Sequence, residues 1–161
     1  MTDEASAELL EELLAQEEEL VFDRFTDEDA WELGSWMVTQ ARGRRLPVAV
    51  DIVRHGHRLF HFSFDGASPD NEQWIRRKAA LVDRTGHSSF YVGRLLASQG
   101  RTIEEAKLLP ESEFAPHGGC FPLKIRNVGP VGHVAVSGLP QADDHAFVVE
   151  ALRAHKARRN G

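Results

Sequence analysis

Residues 48–64 read VAVDIVRHGHRLFHFSF, and this stretch decides the fold. Apolar and polar side chains alternate on both sides of His55-Gly56, which is the pattern of two β-strands joined by a tight turn. Glycine adopts positive φ without strain and histidine does so more readily than most residues, so this pair suits a two-residue turn. A β-hairpin is therefore predicted. In its second strand the phenylalanines should share one face, and the other face should carry Leu59, His61 and Ser63.

A second hairpin is predicted from residues 121–126 and 131–136, which flank Asn127-Val128-Gly129-Pro130. A short strand at residues 20–22 brings the total to about five strands. Two hairpins separated by helices favour an α+β fold, with a mainly antiparallel β-sheet covered by helices. A length of 161 residues suits one domain, predicted to span residues 1–161.

Signals for helix starts surround these strands. Thr26 and Asp29 have the spacing of a capping box, for a helix that runs to about Arg42. Ser68-Pro69-Asp70 has the order of a helix start, and that helix should end near Gly86. The side chains predicted to be buried on the first of these helices are Trp31, Leu33, Trp36, Met37 and Val38. Further helix starts are predicted at Ser88 or Ser89, Thr102 and Pro140.

Residues 1–19 are predicted to form an N-terminal amphipathic helix. Its apolar stripe consists of Leu9, Leu10, Leu13 and Leu14. Glutamates fill most of the remaining circumference: Glu11, Glu12, Glu17, Glu18 and Glu19. A solvated acidic face that favours solubility is the simpler interpretation, and a docking surface for another protein is the alternative.

The composition bounds the partners and the compartment. A formal net charge of -6 and a pI near 5.7 argue against a protein that neutralises many phosphates, so no nucleic acid is expected. The first residues lack the basic and apolar regions of a signal peptide, and the one cysteine cannot form an intramolecular disulfide. No apolar run reaches the length of a membrane helix. These features predict a cytoplasmic protein with no membrane partner.

The middle helix carries the most suggestive group of side chains. Trp74, Arg77 and Lys78 are three and four residues apart, so an aromatic plane and two cations share one side of the helix. Such a group can hold an anion beside a flat apolar surface, with Arg77 as a bidentate partner and Lys78 as a point charge. The alternative is that Trp74 belongs to the core while both cations extend their charged ends to water.

Three other segments offer candidate chemistry. His87-Ser88-Ser89 joins a helix end to a helix start and could meet an anion, although capping alone also explains the serines. In the predicted loop 110–120, His117-Gly118-Gly119-Cys120 combines an exposed imidazole and an exposed thiol with glycines that allow close backbone approach. No third orienting group accompanies this pair, which disfavours cysteine catalysis. Asp143-Asp144-His145 could form an acid/base site, but aspartates that compensate a helix dipole are the simpler explanation.

A metal site is disfavoured among the eight histidines. His57 and His61 share a strand face, with His55 close by in the turn, but four residues of strand separate them by roughly 13 Å. That distance is too long for both to grip one ion without bending the backbone. Histidines on the exposed face of an antiparallel sheet explain the same spacing.

The chain resembles the haem-degrading-domain family of profilin-like α/β proteins, and within it the uncharacterised UPF-type branch. The resemblance covers about Leu20 to Ala154. It rests on residues 46–52, 68–71, 74–75, 77–78, 86–89, 117–119, 121–122, 136–141 and 144–145, which include Ser68-Pro-Asp-Asn71, Gly86-His-Ser-Ser89, His117-Gly-Gly119 and Asp144-His145. The resemblance implies α/β/α layers, assembly into a homo-oligomer (a dimer or a larger ring), and haem as a cofactor. It identifies no iron ligand among these residues.

These observations lead to three hypotheses of function, and they single out neither a catalytic residue nor a metal ligand. The leading one is a small-molecule binding protein, for haem or another planar anion. Its ligand-binding residues, in one pocket or at a subunit seam, would be Trp74, Arg77, Lys78, His87, Ser88, His117, Gly118, Gly119 and His145. The second is a non-enzymatic oligomeric adaptor or assembly protein that uses the acidic N-terminal helix. The third is an enzyme that acts on a small anionic metabolite through His117 or His145.

Overall fold

The structure is a computed structural model that describes residues 4–160. Along the chain the elements are α1 (Glu4–Glu19), β1 (Val21–Phe22), α2 (Asp27–Arg44), β2 (Ala49–Arg54), β3 (His57–Ser63), α3 (Pro69–Thr85), α4 (Ser89–Gln99), α5 (Ile103–Lys107), β4 (Cys120–Ile125), β5 (Gly129–Ser137) and α6 (Gln141–Asn160). The predicted N-terminal helix is confirmed from Glu4 onward, and residues 1–3 lie outside the described residues. Thr26 and Asp29 form the predicted capping box of α2.

The described strands form one open sheet in the order β1-β4-β5-β2-β3. The short strand β1 pairs with β4 in parallel, and every other pairing is antiparallel. The turn between β2 and β3 has positive φ at His55 (54°) and Gly56 (74°), as the hairpin prediction requires. The predicted α+β fold with five mainly antiparallel strands is confirmed.

Helices cover both faces of the sheet, because its side chains alternate between them. Val50, Ile52 and Phe121 point to the face that α2 and α6 cover, and they belong to the main hydrophobic core. Ala49 and Ala135 point to the opposite face, where α3 packs. Small side chains on that face let α3 lie close to the strands. Helix α3 thus lies near the ends of β4 and β5, where the candidate site forms.

Two packing predictions are wrong. Trp31 is 61% exposed, because the buried stripe of α2 follows Ala30, Leu33, Met37 and Ala41 and leaves its neighbour Trp31 at the rim, where its ring meets Phe60. Leu59 packs against the same core as the phenylalanines of β3, not on the other face.

The pairing of β2 with β3 explains the position of Leu59. Ile52 lies opposite Phe60 while Val53 lies opposite Arg58, so Leu59 is the extra residue of a β-bulge. A bulge interrupts the two-residue alternation on which the prediction depended. Among the described residues, no helix is long and apolar enough to cross a membrane.

Candidate functional site

A hollow of about 320 Å³ opens between α3 and the start of α6, and we call it the Trp74 hollow. Helix α3 contributes Asn71, Trp74 and Lys78 to its walls, and the loop before β4 contributes His117 and Gly118. The rest of the wall comes from residues 137–144, among them Ser137, Gln141 and Asp144. The first turns of both α3 and α6 therefore border the hollow, and the positive ends of two helix dipoles favour an anion there.

Lys78 is buried in this wall, with only 2% of its side chain exposed. Its Nζ donates hydrogen bonds to the carbonyl oxygens of Val136 (2.6 Å) and Gly118 (3.1 Å), and it lies 3.6 Å from Asp144 Oδ2. The suggestion that Lys78 extends its charge to water is therefore wrong. The ammonium of α3 instead contacts the end of β5 through Val136, the loop before β4 through Gly118, and α6 through Asp144. Burial lowers the pKa of Lys78, and the nearby Asp144 carboxylate opposes that shift.

Asp144 is the acidic partner of Lys78. Its Oδ1 accepts a hydrogen bond from the backbone N–H of Leu139 at 3.0 Å, so the carboxylate folds back over the loop that precedes α6. Burial raises the pKa of Asp144 to about 6, although the charge of Lys78 lowers it. Near neutral pH the pair is close to a protonation change, which is common at functional sites.

The two glycines of the loop before β4 allow this close packing. A Cβ atom on Gly119 would lie 2.3 Å from Lys78 Nζ, and the backbone φ of 130° at Gly119 is one that glycine adopts freely. A Cβ on Gly118 would lie 2.3 Å from the carbonyl oxygen of Gln141. Gly118 N–H donates to Gln141 Oε1 at 3.0 Å. Because the two glycines have no side chain, the loop packs against α6 and the Lys78 ammonium has room beside Gly119.

The aromatic part of the site consists of Trp74, Arg77 and His117. The Arg77 guanidinium lies 4.6 Å from the centroid of the Trp74 ring and donates to the carbonyl oxygen of Glu111. The His117 ring meets Trp74 edge to face, with 5.4 Å between centroids. Burial lowers the pKa of His117, and the positive charges of Arg77 and Lys78 lower it further. His117 is therefore a neutral imidazole at pH 7, and Arg77 supports the Trp74 ring rather than lining the hollow.

His87 and Ser88 lie away from the Trp74 hollow, against a carboxylate of α1. His87 Nδ1 lies 2.8 Å from Glu17 Oε1, and the Ser88 N–H donates to Glu17 Oε2 at 3.1 Å. Lys124 Nζ is 3.5 Å from Glu17 Oε1. An anion does meet the start of α4, as the sequence indicated, but it is the chain's own Glu17. We call Glu17, His87, Ser88 and Lys124 the Glu17 cluster.

His145 also lies outside the hollow, on the side of α6 that faces α1. Its Nε2 lies 2.7 Å from Gln16 Oε1, and its ring packs on Phe90 and Phe121. Burial lowers the pKa of His145 to about 4, so the imidazole is neutral. His145 therefore faces α1, whereas its neighbour Asp144 faces the Trp74 hollow.

The predicted exposed thiol is wrong. Cys120 is the first residue of β4 and is fully buried on the face that α3 covers. Burial raises the pKa of its thiol well above the ordinary value, which suppresses the reactive thiolate. A nucleophile pair of His117 and Cys120 is therefore excluded by burial.

Asn71, Ser137, Gln141 and Asp144 line the hollow but were absent from the predicted site. Asn71 had an evident local role, since its Oδ1 accepts a hydrogen bond from Ser68 N–H at the start of α3. Asp144 was interpreted as compensating a helix dipole. A signal was present, because the short motifs that carry the family resemblance include Asn71, Gln141 and Asp144.

The fold and the site together define a small α/β/α-layered protein with a hollow at the start of a helix, and the walls of this hollow carry polar groups and an aromatic edge. Residues 25–153 match the family described as "Haem degrading protein HbpS-like". The chain belongs to that family, which confirms the resemblance derived from its motifs.

Relatives and solved structures agree with this assignment. A UPF0303 protein of Streptomyces coelicolor is 49% identical over 94% of this chain and 96% of its own length. The crystal structure of the Ybr137w protein superposes with a TM-score of 0.88 at 34% identity and covers 94% of this chain and 90% of its own. A PduOC–haem complex shares the fold, with a TM-score of 0.68 at 19% identity over 81% of this chain and 94% of its own.

The family description makes haem the first ligand to test against the hollow. His117 is a neutral imidazole and Trp74 is a flat apolar surface, and both suit a haem. However, about 320 Å³ is at the lower end of small-molecule pockets, and the walls carry the polar groups of Asn71, Ser137, Gln141 and the Lys78–Asp144 pair. A fully enclosed porphyrin does not fit a hollow of this volume and polarity. Within residues 4–160 no group of three or more His, Cys, Asp or Glu side chains could hold a metal ion.

Proposed function

We propose that this chain is a small-molecule binding protein whose Trp74 hollow takes a small planar anion, such as an aromatic or unsaturated carboxylate. The observation that carries the proposal is the convergence of Trp74, the buried Lys78 and His117 around one open space. These side chains come from α3 and a loop some forty residues later in the sequence, so capping or local turn formation does not explain their meeting.

The chemistry of the walls supports an anion with a flat apolar body. The first turns of α3 and α6 supply the positive ends of two helix dipoles, and Lys78 adds positive charge when its partner Asp144 is protonated. Asn71, Ser137 and Gln141 offer amide and hydroxyl groups that can orient a carboxylate. Trp74 supplies the aromatic surface for the planar part.

Fluorescence titration with a panel of small aromatic carboxylates, and with haemin in parallel, tests the proposal. A saturable change for a carboxylate is expected in the unmodified chain and in Trp31→Leu, which removes an exposed tryptophan elsewhere. Binding should weaken at least tenfold in Trp74→Leu. Calorimetry follows binding in this variant, because the tryptophan that lines the hollow is gone. Saturable haemin binding that survives Trp74→Leu, with no carboxylate binding, would contradict the proposal.

One observation favours a second candidate, an enzyme that acts on a small anionic metabolite. Lys78, Asp144 and His117 line the same hollow, and their pKa values are all displaced by burial toward the neutral form of the side chain. Such groups can exchange protons with a bound ligand. His117→Ala should then lower any turnover found in a metabolite screen by more than it weakens carboxylate binding, and unchanged turnover would exclude His117 as the proton carrier.

A further inference from the structure

A second, smaller hollow lies at the other end of α6, and we call it the Arg24 hollow. It encloses about 240 Å³ between β1 with its following turn, the β4–β5 turn and the last turns of α6. Its charged side chains are Asp23, Arg24, Arg126, Lys156 and Arg159. It shares no lining residue with the Trp74 hollow. Asp144 and Lys156 are twelve positions apart on α6, which separates the two hollows by about 18 Å at 1.5 Å per residue.

The charges of the Arg24 hollow are not balanced. Four of the five are positive and one is negative, in a protein whose net charge is -6. Two of the cations are neutralised, because Arg126 pairs with Asp23 (2.9 Å) and Arg159 pairs with the buried Asp29. The other two are Lys156 and Arg24.

Neither of these two cations has a carboxylate of its own. Lys156 Nζ donates to the backbone carbonyl oxygen of Glu19, whose carboxylate is held by Arg153 at 2.8 Å. Within residues 4–160, no hydrogen bond or ion pair joins Arg24 to another residue. Arg24 therefore has no partner within residues 4–160, and Lys156 shares Glu19 with Arg153, so positive charge is in excess at the open space.

Helix capping explains only part of this arrangement. Lys156 and Arg159 lie in the last turns of α6, where cations are favoured by the negative end of the helix dipole. Arg24 and Arg126 come from other elements, and nothing about α6 requires them to point at the same space. Holding Arg24 and Lys156 beside one open space costs electrostatic energy that a bound anion would offset.

We propose that the Arg24 hollow binds the phosphoryl group of a phosphate monoester. A phosphoryl group near pH 7 carries up to two negative charges, which suits the excess of positive charge from Arg24 and Lys156. Guanidinium groups donate to phosphate oxygens in a bidentate fork, and a lysine adds a point charge. The volume suits the phosphoryl group, and the rest of the ligand extends into solvent. This proposal is independent of the ligand assigned to the Trp74 hollow.

Calorimetric titration of the full chain with inorganic phosphate, and with acetate as a monoanionic comparison, tests it. Saturable phosphate binding is expected, weakened at least tenfold in Arg24→Ala and in Lys156→Gln. Arg24→Ala removes a side chain without a partner, so it should fold normally. Arg84→Ala removes another exposed arginine, on α3, that lines neither hollow, and phosphate binding should not change.

The proposal is overturned by the absence of saturable phosphate binding in the unmodified chain, by equal loss in Arg24→Ala and Arg84→Ala, or by acetate binding as tight as phosphate. Loss of phosphate binding in Trp74→Leu would place the anion in the Trp74 hollow instead, and would also contradict the inference. Carboxylate binding to the Trp74 hollow can fail while phosphate binding here persists, so the two proposals are tested separately.

Discussion

The Trp74 hollow and the Glu17 cluster both contain side chains that the sequence marked as able to meet an anion, yet the fold treats them differently. Both combine a cation or imidazole with the first turn of a helix. In the Glu17 cluster, α1 inserts its own carboxylate and fills the position. In the Trp74 hollow, Asp144 neutralises Lys78 within the wall, and open space remains beside the pair. Polar residues near a helix start therefore indicate a ligand site only where the chain does not supply the ligand itself.

The largest effect is expected from breaking the buried pair of the Trp74 hollow. Lys78→Met should lower the free energy of unfolding by about 3–5 kcal/mol, because it leaves a buried Asp144 without its partner and two carbonyl oxygens without a donor. Chemical denaturation measures this free energy of unfolding. Lys78→Met combined with Asp144→Leu should recover part of the loss, and a change below about 1 kcal/mol in the single variant would show that Lys78 is not a structural tie.

A smaller loss is expected from emptying the Glu17 cluster. Glu17→Ala leaves the Ser88 N–H without an acceptor and removes the partner of His87, so the free energy of unfolding should fall by about 1–3 kcal/mol. The matched control is Glu18→Ala, the exposed neighbour on the same helix, which should stay within about 0.5 kcal/mol of the unmodified chain. Equal effects for both glutamates would remove the distinction between the filled and the open site.

The pH dependence sharpens the comparison further. Since burial raises the pKa of Asp144 from 3.8 to about 6, the folded protein keeps a proton that the unfolded chain has already lost. The stability that this proton contributes is present below about pH 4 and is lost as the pH rises through 6. Stability curves of the unmodified chain and Asp144→Asn should differ in slope between these two pH values, and parallel curves would contradict the raised pKa.

The same titration should affect binding in the Trp74 hollow. When Asp144 is protonated, the charge of Lys78 is no longer neutralised, so affinity for an anionic carboxylate should rise by on the order of 1 kcal/mol as the pH falls through 6. Calorimetry on both sides of pH 6 measures this. In Asp144→Asn this pH dependence should disappear. If the affinity of the unmodified chain falls as the pH falls, the charges assigned to Lys78 and Asp144 are wrong.

The smallest effect is expected from an exposed ion pair, which gives the baseline for the buried ones. Arg44 and Glu150 pair at 2.6 Å with side chains 43% and 45% exposed. Arg44→Ala should change the free energy of unfolding by less than about 1 kcal/mol, because water screens such pairs. A loss as large as that of Lys78→Met would show that burial is not what distinguishes the pairs.

Local patterns alone were enough for the elements and for the fold class. The capping box of Thr26 and Asp29, the proline start of α3 and the His55-Gly56 turn depend on residues within a few positions of each other, so the sequence displays them directly. The same patterns brought Trp74, Lys78 and His117 forward as candidates. Trp31 and Leu59 were misplaced because burial at a helix edge and a β-bulge depend on what the neighbouring element does.

The sequence by itself determined the hairpins, the helix starts, the family motifs and the acidic character of this protein, because each follows from residues near one another in the chain. Only the tertiary structure decided that Lys78 meets Asp144, that Glu17 reaches His87, and that Arg24 and Lys156 border one space. These pairs are between 66 and 132 residues apart in the sequence. Which distant charges meet depends on how helices pack on the sheet, and that packing is fixed by the whole core rather than by any local pattern.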